Sequence, residues 1–333
     1  MMKFYKYHGA GNDFLLYDAR EDGAVFTPSR VASLCDRHLG IGADGLMVLS
    51  EAPGYDFRME FFNPDGSGGM MCGNGGRCIV AFARDLGIEP QAPPAPAACC
   101  AGADDSAACC AAAAEPSTVK CYRFLAPDGP HTAWLISDDG PVKTIRLGMK
   151  PVTEYYAVTP VPGISSGWFV DTGTRHFVTF VPSVRDVDVE GLGRQIRHLP
   201  QFAPAGVNVN FVELIAPGEI AVRTFEKGVE GETLACGTGI TASAIAAWLA
   251  ACPQDAPAAP AAGPVIHAGS APETVRVHAR LHDLTVTFSP AVHPAPSPAI
   301  PASSAVIPDL NRNLSFSDVT LTGPAERVAT IYI

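Results

Sequence analysis

Two short cysteine segments, far apart in the chain, carry the residues best suited to chemistry. One segment reads MCGNGGRC around Cys72, and the other reads ACGTGITA around Cys236. In each segment the cysteine precedes a Gly-x-Gly turn, and an apolar, helix-like run follows. A thiol at the start of a helix lies among unpaired backbone N–H groups at the positive end of the helix dipole. That setting favours the thiolate, which can act as a base or a nucleophile.

The matched pair of thiols predicts inversion of a stereocentre. One thiolate can remove a proton from one face of a carbon while one thiol returns a proton to the other face. The α-carbon of an amino acid is a suitable weak carbon acid, and the helix N-termini could hold its carboxylate. Because the sequence shows no pyridoxal-binding lysine motif and no dinucleotide fingerprint, we expect no cofactor. Two alternatives stay open: structural cysteines with turn-forming glycines, or a redox pair, which normally uses a CxxC spacing.

Composition restricts the class of protein. A chain of 333 residues has room for two domains, and its 47% hydrophobic and 17% charged residues indicate a globular protein. The net charge of −11 argues against nucleic acid and anionic membranes as partners. The first residues lack a signal-peptide core, and the apolar stretch from Gly239 to Cys252 is too short to span a bilayer. We therefore expect a cytoplasmic enzyme with a small-molecule substrate; a homodimer is compatible with the sequence but is not determined by it.

The other cysteines that we considered are predicted to be inert. Three lie in helix-like runs and are expected to be buried thiols: Cys35, Cys78 and Cys252. Four form adjacent pairs in an Ala-rich run: Cys99, Cys100, Cys109 and Cys110. This run has no CxxC spacing and no nearby histidine, so we expect low-complexity sequence rather than a metal site.

The two halves of the chain repeat one plan of strands, a polar strand end, a cysteine turn and a helix. Asn63 precedes Cys72 by nine residues (72 − 63), and Glu226 precedes Cys236 by ten (236 − 226). This repetition predicts an α/β (α+β) fold with two pseudo-symmetric domains, each a curved, mostly antiparallel sheet wrapped around a central helix. The active site is expected in the interdomain cleft, where small-molecule sites often form.

The repeated pattern also predicts the domain boundaries. The N-terminal half covers 1–148, the C-terminal half covers 149–322, and 323–333 forms a terminal strand that returns to the N-terminal half. Three Pro/Ala-rich segments interrupt the pattern, at 89–118, 253–271 and 290–308. We also predict a helix at 28–38, a helix within VRDVDVEGLGRQIRHL, and two final strands, SDVTLTG and RVATIYI.

Several long motifs, in order along the chain, resemble the diaminopimelate epimerase family. They are HGAGNDF, FFNPDGSGGMMCGNGGR, GVNVNF, TFEKGVEGETLACGTG and the terminal LTGPA. The resemblance implies a two-cysteine epimerase, independent of pyridoxal phosphate, that converts LL-2,6-diaminopimelate to the meso form for lysine and cell-wall synthesis. It also implies a fold of two pseudo-symmetric α/β halves.

The resemblance implies a set of site residues. Cys72 and Cys236 match the catalytic bases, and His176 and Glu226 match supporting polar residues. The predicted substrate-binding residues are Asn12, Asn63, Gly73, Asn74, Asn208, Glu226, Lys227, Gly237 and Thr238. Three of these residues also have a structural interpretation: His176 as a satisfied core histidine, Asn12 as part of a turn and Glu226 as a solvated charge. Asp44 is interpreted as a turn residue, and no metal ligands are predicted.

The sequence departs from the family pattern at residues that are expected to bind the distal end of the substrate. Lys227 stands where many members have arginine, and a lysine offers a point charge where arginine can form two parallel bonds to a carboxylate. The motif here is GTRH rather than GNPH, so Thr174 replaces an amide, and Arg175 is expected to compensate.

Three rivals share the general pattern. Proline or hydroxyproline racemases resemble this chain but typically read CGHG at the first cysteine and DRSP before the second. Phenazine-type isomerases of the same fold lack the cysteine pair, and a non-catalytic amino-acid-binding protein would need no thiols.

Overall fold

The computed structural model describes residues 1–69, 71–91, 119–158, 166–251, 272–292 and 314–333. They form two compact units: Met1–Gly148 with Thr322–Ile333, and Met149–Leu321.

Strands in the first half of the chain are β1 Lys3–Gly9, β2 Asn12–Asp18, β3 Leu46–Ser50, β4 Phe57–Phe62, β5 Lys120–Ala126, β6 Gly129–Asp139 and β7 Val142–Gly148. Strands in the second half are β8 Tyr155–Val158, β9 Gly167–Asp171, β10 Arg175–Phe180, β11 Asn208–Ala216, β12 Glu219–Glu226, β13 Gly231–Thr233, β14 Glu273–His278, β15 Asp283–Val292 and β16 Leu314–Tyr332. Helices among these residues are α1 Pro28–Cys35, α2 Gly73–Asp85, α3 Val189–Arg197 and α4 Gly237–Ala251, with a short 3₁₀ helix at Pro200–Phe202.

In the first unit a mostly antiparallel sheet surrounds α2. Its strands neighbour one another in the order β1 to β7, and the C-terminal part of β16 pairs antiparallel with both β7 and β1. This double pairing closes the sheet on itself. Helix α2 packs against β1, β2, β3, β6 and β7, and every residue from Gly73 to Ala83 is buried. A helix buried all round belongs in the interior of its domain.

The second unit has the same kind of architecture around α4. Its strand order is β8, β9, β10, β11, β12, β14, β15 and the first part of β16, with β13 paired to β12. A bridge between Val152 and Phe316 joins the segment before β8 to β16. Helix α4 packs against β9 to β12, β14 and β15. Gly237 and every residue from Gly239 to Ala247 are buried, so α4 is the central helix of this unit.

Among the strands that the structure describes, each unit contains two parallel pairs, and a helix joins the strands of each pair. In the first unit, α1 connects β2 to β3 and α2 connects β4 to β5. In the second unit, α3 connects β10 to β11 and α4 connects β12 to β14 by way of β13. Parallel neighbours require such a crossover, and the remaining printed pairings are antiparallel. The predicted α/β (α+β) class with mostly antiparallel sheets is confirmed.

Two predicted helices are shorter in the structure. Helix α1 ends at Cys35 rather than at residue 38, because Asp36 is extended and its carboxylate accepts hydrogen bonds from the backbone N–H groups of His38 and Leu39. The α3 helix begins only after Asp188, whose side chain caps it by accepting from Gly191 N.

The prediction of two final strands is wrong, because β16 is one continuous strand from Leu314 to Tyr332. The Gly-Pro pair that signals a turn lies inside it, and Pro324 sits opposite Thr144 of β7. Strand β15 runs to Val292, so the segment predicted at 290–308 begins within a strand. Its remainder, from 293 onward, lies outside the described residues, as does the segment at 253–271.

The Ala-rich cysteine run also lies outside the described residues, as does Cys252, and so do 92–118 of the first predicted segment. Residue 91 still contacts the first unit, since Gln91 N donates to Asp56 Oδ1 at 2.7 Å. Among the helices of the described ranges, none combines the length and apolar character needed to cross a bilayer.

An aromatic cluster fixes the C-terminal part of α4. Trp248 meets Phe288 of β15 and Phe316 of β16 edge-on, with ring centroids 6.2 and 5.8 Å away, and the two phenylalanines are 5.5 Å apart. Edge-to-face packing of this kind adds to the area that the rings bury. The cluster therefore ties the helix that follows Cys236 to the two strands.

We predict that Phe316→Ala lowers the free energy of unfolding by about 3–5 kcal/mol, because Phe316 is fully buried and its removal leaves a cavity. Urea unfolding measures this loss. The control is Ile136→Ala on β6, since Ile136 is 43% exposed and its loss should cost no more than about 0.5 kcal/mol. Equal losses in the two variants would contradict the anchoring role of the cluster.

Candidate active site

Cys72 is the N-cap residue of α2. Its backbone is extended, its carbonyl accepts from Gly76 N at 2.8 Å, and its sulfur accepts from Gly75 N at 3.2 Å. The first backbone N–H groups of a helix have no partner within it, and here they belong to the buried residues Gly73 and Asn74. The sulfur thus lies at the positive end of a central helix, where negative charge is favoured.

A buried arginine lies behind this first turn. Arg77 is fully buried and donates to Asn74 Oδ1 at 3.0 Å, Gly73 O at 3.2 Å and Pro324 O at 3.3 Å. Within the described ranges no carboxylate forms an ion pair with it. Burial lowers the pKa of Arg77 to about 10, so it stays cationic at neutral pH and adds positive charge near the Cys72 turn. Arg77 lies within the first cysteine motif but is not among the predicted site residues; its signal is a charged residue directly before the apolar run CIVAF.

The predicted residues Asn12 and Asn74 contact one another. Asn74 Nδ2 donates to Asn12 Oδ1 at 3.3 Å, and Asn12 Nδ2 donates to Asp44 Oδ2 at 2.7 Å. Asp44 also accepts from Asp13 N and from the Arg37 guanidinium. The structure thus brings Asn12 beside the Cys72 turn and gives Asp44 a role in holding it.

Asn63 and Glu226 occupy equivalent places in the two units. Asn63 directly follows β4, and Glu226 is the last residue of β12, so each stands at the end of the strand from which the second crossover of its unit starts. The Asn63 amide donates to Ser67 Oγ at 3.0 Å, and Asn63 N donates to Ser67 O at 2.9 Å. Asn63 therefore braces its own turn, and its binding role stays a prediction.

Cys236 precedes α4 as Cys72 precedes α2. Its carbonyl accepts from Ile240 N at 2.8 Å, its sulfur lies 3.4 Å from Thr238 Oγ1, and its residue surface is 7% exposed. The second glycine of this turn has a steric reason. A Cβ at Gly239 would lie 2.4 Å from Asn210 Oδ1 and 3.3 Å from His176 Cε1, so only glycine lets these side chains approach the turn.

His176 is fully buried and held on both ring nitrogens. Its Nδ1 lies 3.1 Å from Asn210 Nδ2, and its Nε2 lies 2.8 Å from Thr174 Oγ1 and 3.1 Å from Thr238 Oγ1. Burial, reinforced by the Lys227 ammonium, lowers the pKa of His176 to about 3. His176 is therefore neutral at physiological pH. It is a satisfied buried histidine, and it also reaches Cys236 through Thr238.

Asn208 joins two strand ends. Its Oδ1 accepts from Lys227 N at 2.8 Å, and its Nδ2 donates to Arg175 O at 3.2 Å, so the amide braces backbone on both sides. Its neighbour on the same face of β11, Asn210, is fully buried and holds His176. The alternating VNVNF sequence carries this signal, because residues two apart on a strand share one face.

Arg175 packs against other residues of the second unit, and its compensating role at the substrate-binding site stays a prediction. Its guanidinium lies 5.2 Å over the Phe169 ring and donates to Phe202 O at 3.4 Å. Arg175 and His176 are consecutive on β10, so their side chains leave opposite faces of the sheet. Lys227 is exposed, and its ammonium donates to Ala205 O at 3.4 Å. No cluster of three or more metal-ligating side chains occurs within the described ranges.

Comparison with known proteins assigns the family. The family model described as diaminopimelate epimerase matches residues 4–93 and 168–265. A protein named diaminopimelate epimerase from Chlorobaculum tepidum is 39% identical over 241 residues, which cover 71% of this chain and 80% of that protein. The chain belongs to the diaminopimelate epimerase family. A second member, from Aquifex aeolicus, is 37% identical over 258 residues, covering 74% of this chain and 82% of that protein.

Solved structures of proteins with other names share the fold. A phenazine biosynthesis protein from Bacillus anthracis has a TM-score of 0.59 at 12% identity, covering 100% of this chain and 98% of that one. A probable proline racemase from Agrobacterium radiobacter has a TM-score of 0.56 at 15% identity, covering 100% and 93%. At these identities the likeness concerns the fold alone. The proline racemases and the phenazine-type isomerases, considered above as rivals, thus share this fold. The family assignment favours the diaminopimelate epimerase family over both.

We predict that His176 makes stability depend on pH. Folding lowers its pKa from 6.5 to about 3, so the unfolded chain binds more protons between these values. The stabilisation is complete above pH 6.5 and is lost as the pH falls toward 3. Between about pH 5.5 and 4.5, the free energy of unfolding of the unmodified protein should therefore fall more steeply than that of His176→Gln, by up to about 1.4 kcal/mol per pH unit. Urea unfolding at each pH measures both slopes, and equal slopes would contradict a neutral, buried His176.

Proposed function

We propose that the protein is an isomerase that interconverts LL-2,6-diaminopimelate and meso-2,6-diaminopimelate without a cofactor. The observation that carries the proposal is the identical place of two cysteines, each directly before the second crossover helix of its unit. The relatives described above bear the name of this activity. A single cysteine at a helix start would be weak support, but two in matched positions fit a reaction that needs one base and one acid.

In the proposed reaction, one thiolate takes the α-proton and becomes a thiol, while the C–H bonding electrons stay on the substrate as a carbanion stabilised by the adjacent carboxylate. The other thiol gives its proton to the opposite face of the carbon and becomes a thiolate. Protons and charge balance, and the reverse reaction exchanges the two roles. The first-turn N–H groups at Gly73, Asn74, Gly237 and Thr238 are the donors that we assign to the carboxylate.

We assign the supporting roles by chemistry. His176, being neutral, serves as a hydrogen-bonding partner near Cys236 rather than as a charged acid, and Glu226, Asn12, Asn63 and Asn208 remain the proposed polar contacts of the substrate. Lys227 is the proposed partner of the distal carboxylate.

The test of the reaction uses heavy water. Incubation with LL-2,6-diaminopimelate should replace the α-proton by deuterium with inversion of the carbon. The exchange is measured as the loss of the α-proton NMR signal. Cys72→Ala and Cys236→Ala should each lower the rate of inversion by about 10²–10⁴-fold, the usual contribution of one general acid–base group. Cys121→Ser changes a cysteine of β5 that lies outside both cysteine turns; it is the matched control and should keep the rate.

Other outcomes would reject the proposal. Exchange of proline in place of diaminopimelate would indicate a racemase of the related type. Tight binding of diaminopimelate without exchange would indicate a non-catalytic binding protein.

We predict that Lys227 acts on substrate affinity rather than on the chemical step. Lys227→Gln should raise KM at least about tenfold, because a charge-assisted bond to a carboxylate contributes about 1.5–3 kcal/mol, and should leave kcat within about twofold. Lys227→Arg should restore or lower KM, since arginine can form two parallel bonds to a carboxylate. Steady-state kinetics separates the two constants. A loss confined to kcat would contradict a role in binding.

A further inference from the structure

Three side chains next to Cys236 form a closed hydrogen-bonded cluster, which we call the hydroxyl relay: Thr174, His176 and Thr238. His176 Nε2 lies 2.8 Å from Thr174 Oγ1 and 3.1 Å from Thr238 Oγ1, and the two hydroxyl oxygens are 3.0 Å apart. Thr238 Oγ1 lies 3.4 Å from the Cys236 sulfur, a hydrogen-bond distance for the larger sulfur atom. All members of the relay belong to the second unit.

The tautomer of His176 follows from Asn210. The Asn210 Nδ2 lies 3.3 Å from the carbonyl of Phe177, which can only accept, and Asn210 Oδ1 accepts from Thr224 Oγ1 at 2.9 Å. These bonds fix the orientation of the amide, so Nδ2 donates to His176 Nδ1. A neutral imidazole that accepts at Nδ1 carries its proton on Nε2. His176 therefore donates into the relay.

The direction of the remaining bonds follows. The Nε2–H group donates to the nearer hydroxyl, Thr174 Oγ1, and the Thr174 hydroxyl donates to Thr238 Oγ1. With its oxygen accepting from Thr174, Thr238 has its own proton available for the Cys236 sulfur. A donor aimed at sulfur stabilises the thiolate more than the thiol, because hydrogen bonds to charged acceptors are the stronger ones.

We propose that Thr174 is a positioning residue, whose hydroxyl turns the Thr238 proton toward Cys236 and so favours the thiolate form of that cysteine. This rests on the proposed function, in which Cys236 must serve as a base in one direction of the reaction. It also replaces the expectation that residue 174 grips the distal end of the substrate. Thr174 is exposed yet bonds inward to the buried His176, which is the arrangement of a residue that serves the site from its edge.

The first unit supplies an internal comparison. There the position after Cys72-Gly73 is Asn74, whose amide binds Arg77 and Asn12, and the Cys72 sulfur accepts from the backbone N–H of Gly75. Residue 174 has no counterpart in these bonds. A change at Thr174 should therefore alter Cys236 and leave Cys72 as it was.

The experiment compares the ligand-free protein with Thr174→Val and Thr174→Ser. The rate constant for iodoacetamide alkylation is measured at pH 7 for Cys236 and Cys72 separately, by peptide mass spectrometry. In Thr174→Val the Cys236 rate should fall at least about threefold, since losing a bond that favours the charged form lowers the thiolate fraction about tenfold and higher nucleophilicity offsets part of that loss. The Cys72 rate should not change, and Thr174→Ser should restore the Cys236 rate.

Epimerase kinetics of the same variants give a second readout. Thr174→Val should lower kcat about tenfold and change KM by less than about twofold, because the residue acts through Cys236 rather than on the substrate. Thr174→Ala provides a second hydroxyl-free variant at this exposed position and should repeat the effect of valine.

Several results would overturn the proposal. They are an unchanged Cys236 rate in both hydroxyl-free variants, an equal fall at both cysteines, no rescue by serine, or a rise in KM with kcat retained. The alkylation measurement needs no substrate. If alkylation follows the prediction but the protein lacks epimerase activity, the proposed function fails and the relay stands.

Discussion

The constraint on which the rest depends is the burial of a helix N-terminus. Each unit wraps a sheet around one helix, so the polar side chains beside the first helical turn must find hydrogen-bond partners inside the protein. In the first unit these side chains are the cationic Arg77, Asn74 and Asn12, which bond to one another. In the second unit they are neutral, chiefly His176 and Asn210, which also bond to each other. The same crossover geometry thus places a cysteine in two differently polarised settings.

Much of the architecture could be predicted from local pattern. Alternating segments gave strands, and the two cysteine turns followed by apolar runs gave the two central helices, because capping and periodicity are local properties. The antiparallel hairpin of β14 and β15 has such a local pattern, since both strands alternate apolar and polar residues. The end of α1 and the continuity of β16 were not predictable in this way. Asp36 stops the helix by bonding later backbone, and β16 continues through Gly323-Pro324 because β7 pairs with it there.

The candidate site shows the same division. The cysteines, their glycines and the asparagines lie in recognisable motifs, but the partners of those residues come from distant parts of the chain. Arg77 reaches Pro324, and His176 meets Thr238, contacts that only the folded chain creates. Arg175 illustrates the limit most clearly: next to His176 in sequence, it leaves the opposite face of β10 and packs on Phe169. Adjacency in sequence is therefore a poor guide to adjacency in a site built on strands.

The proposed reaction, with one base from each unit, determines where solvent hydrogen must appear. The most direct test is the deuterium content at the α-carbons of substrate and product, measured early in the reaction of LL-2,6-diaminopimelate in heavy water. Two thiols acting from opposite faces predict that the meso product carries deuterium at the inverted carbon, while unreacted LL substrate keeps its protium. Deuterium entering the unreacted substrate as fast as the product, or protium carried over into the product, would contradict the account.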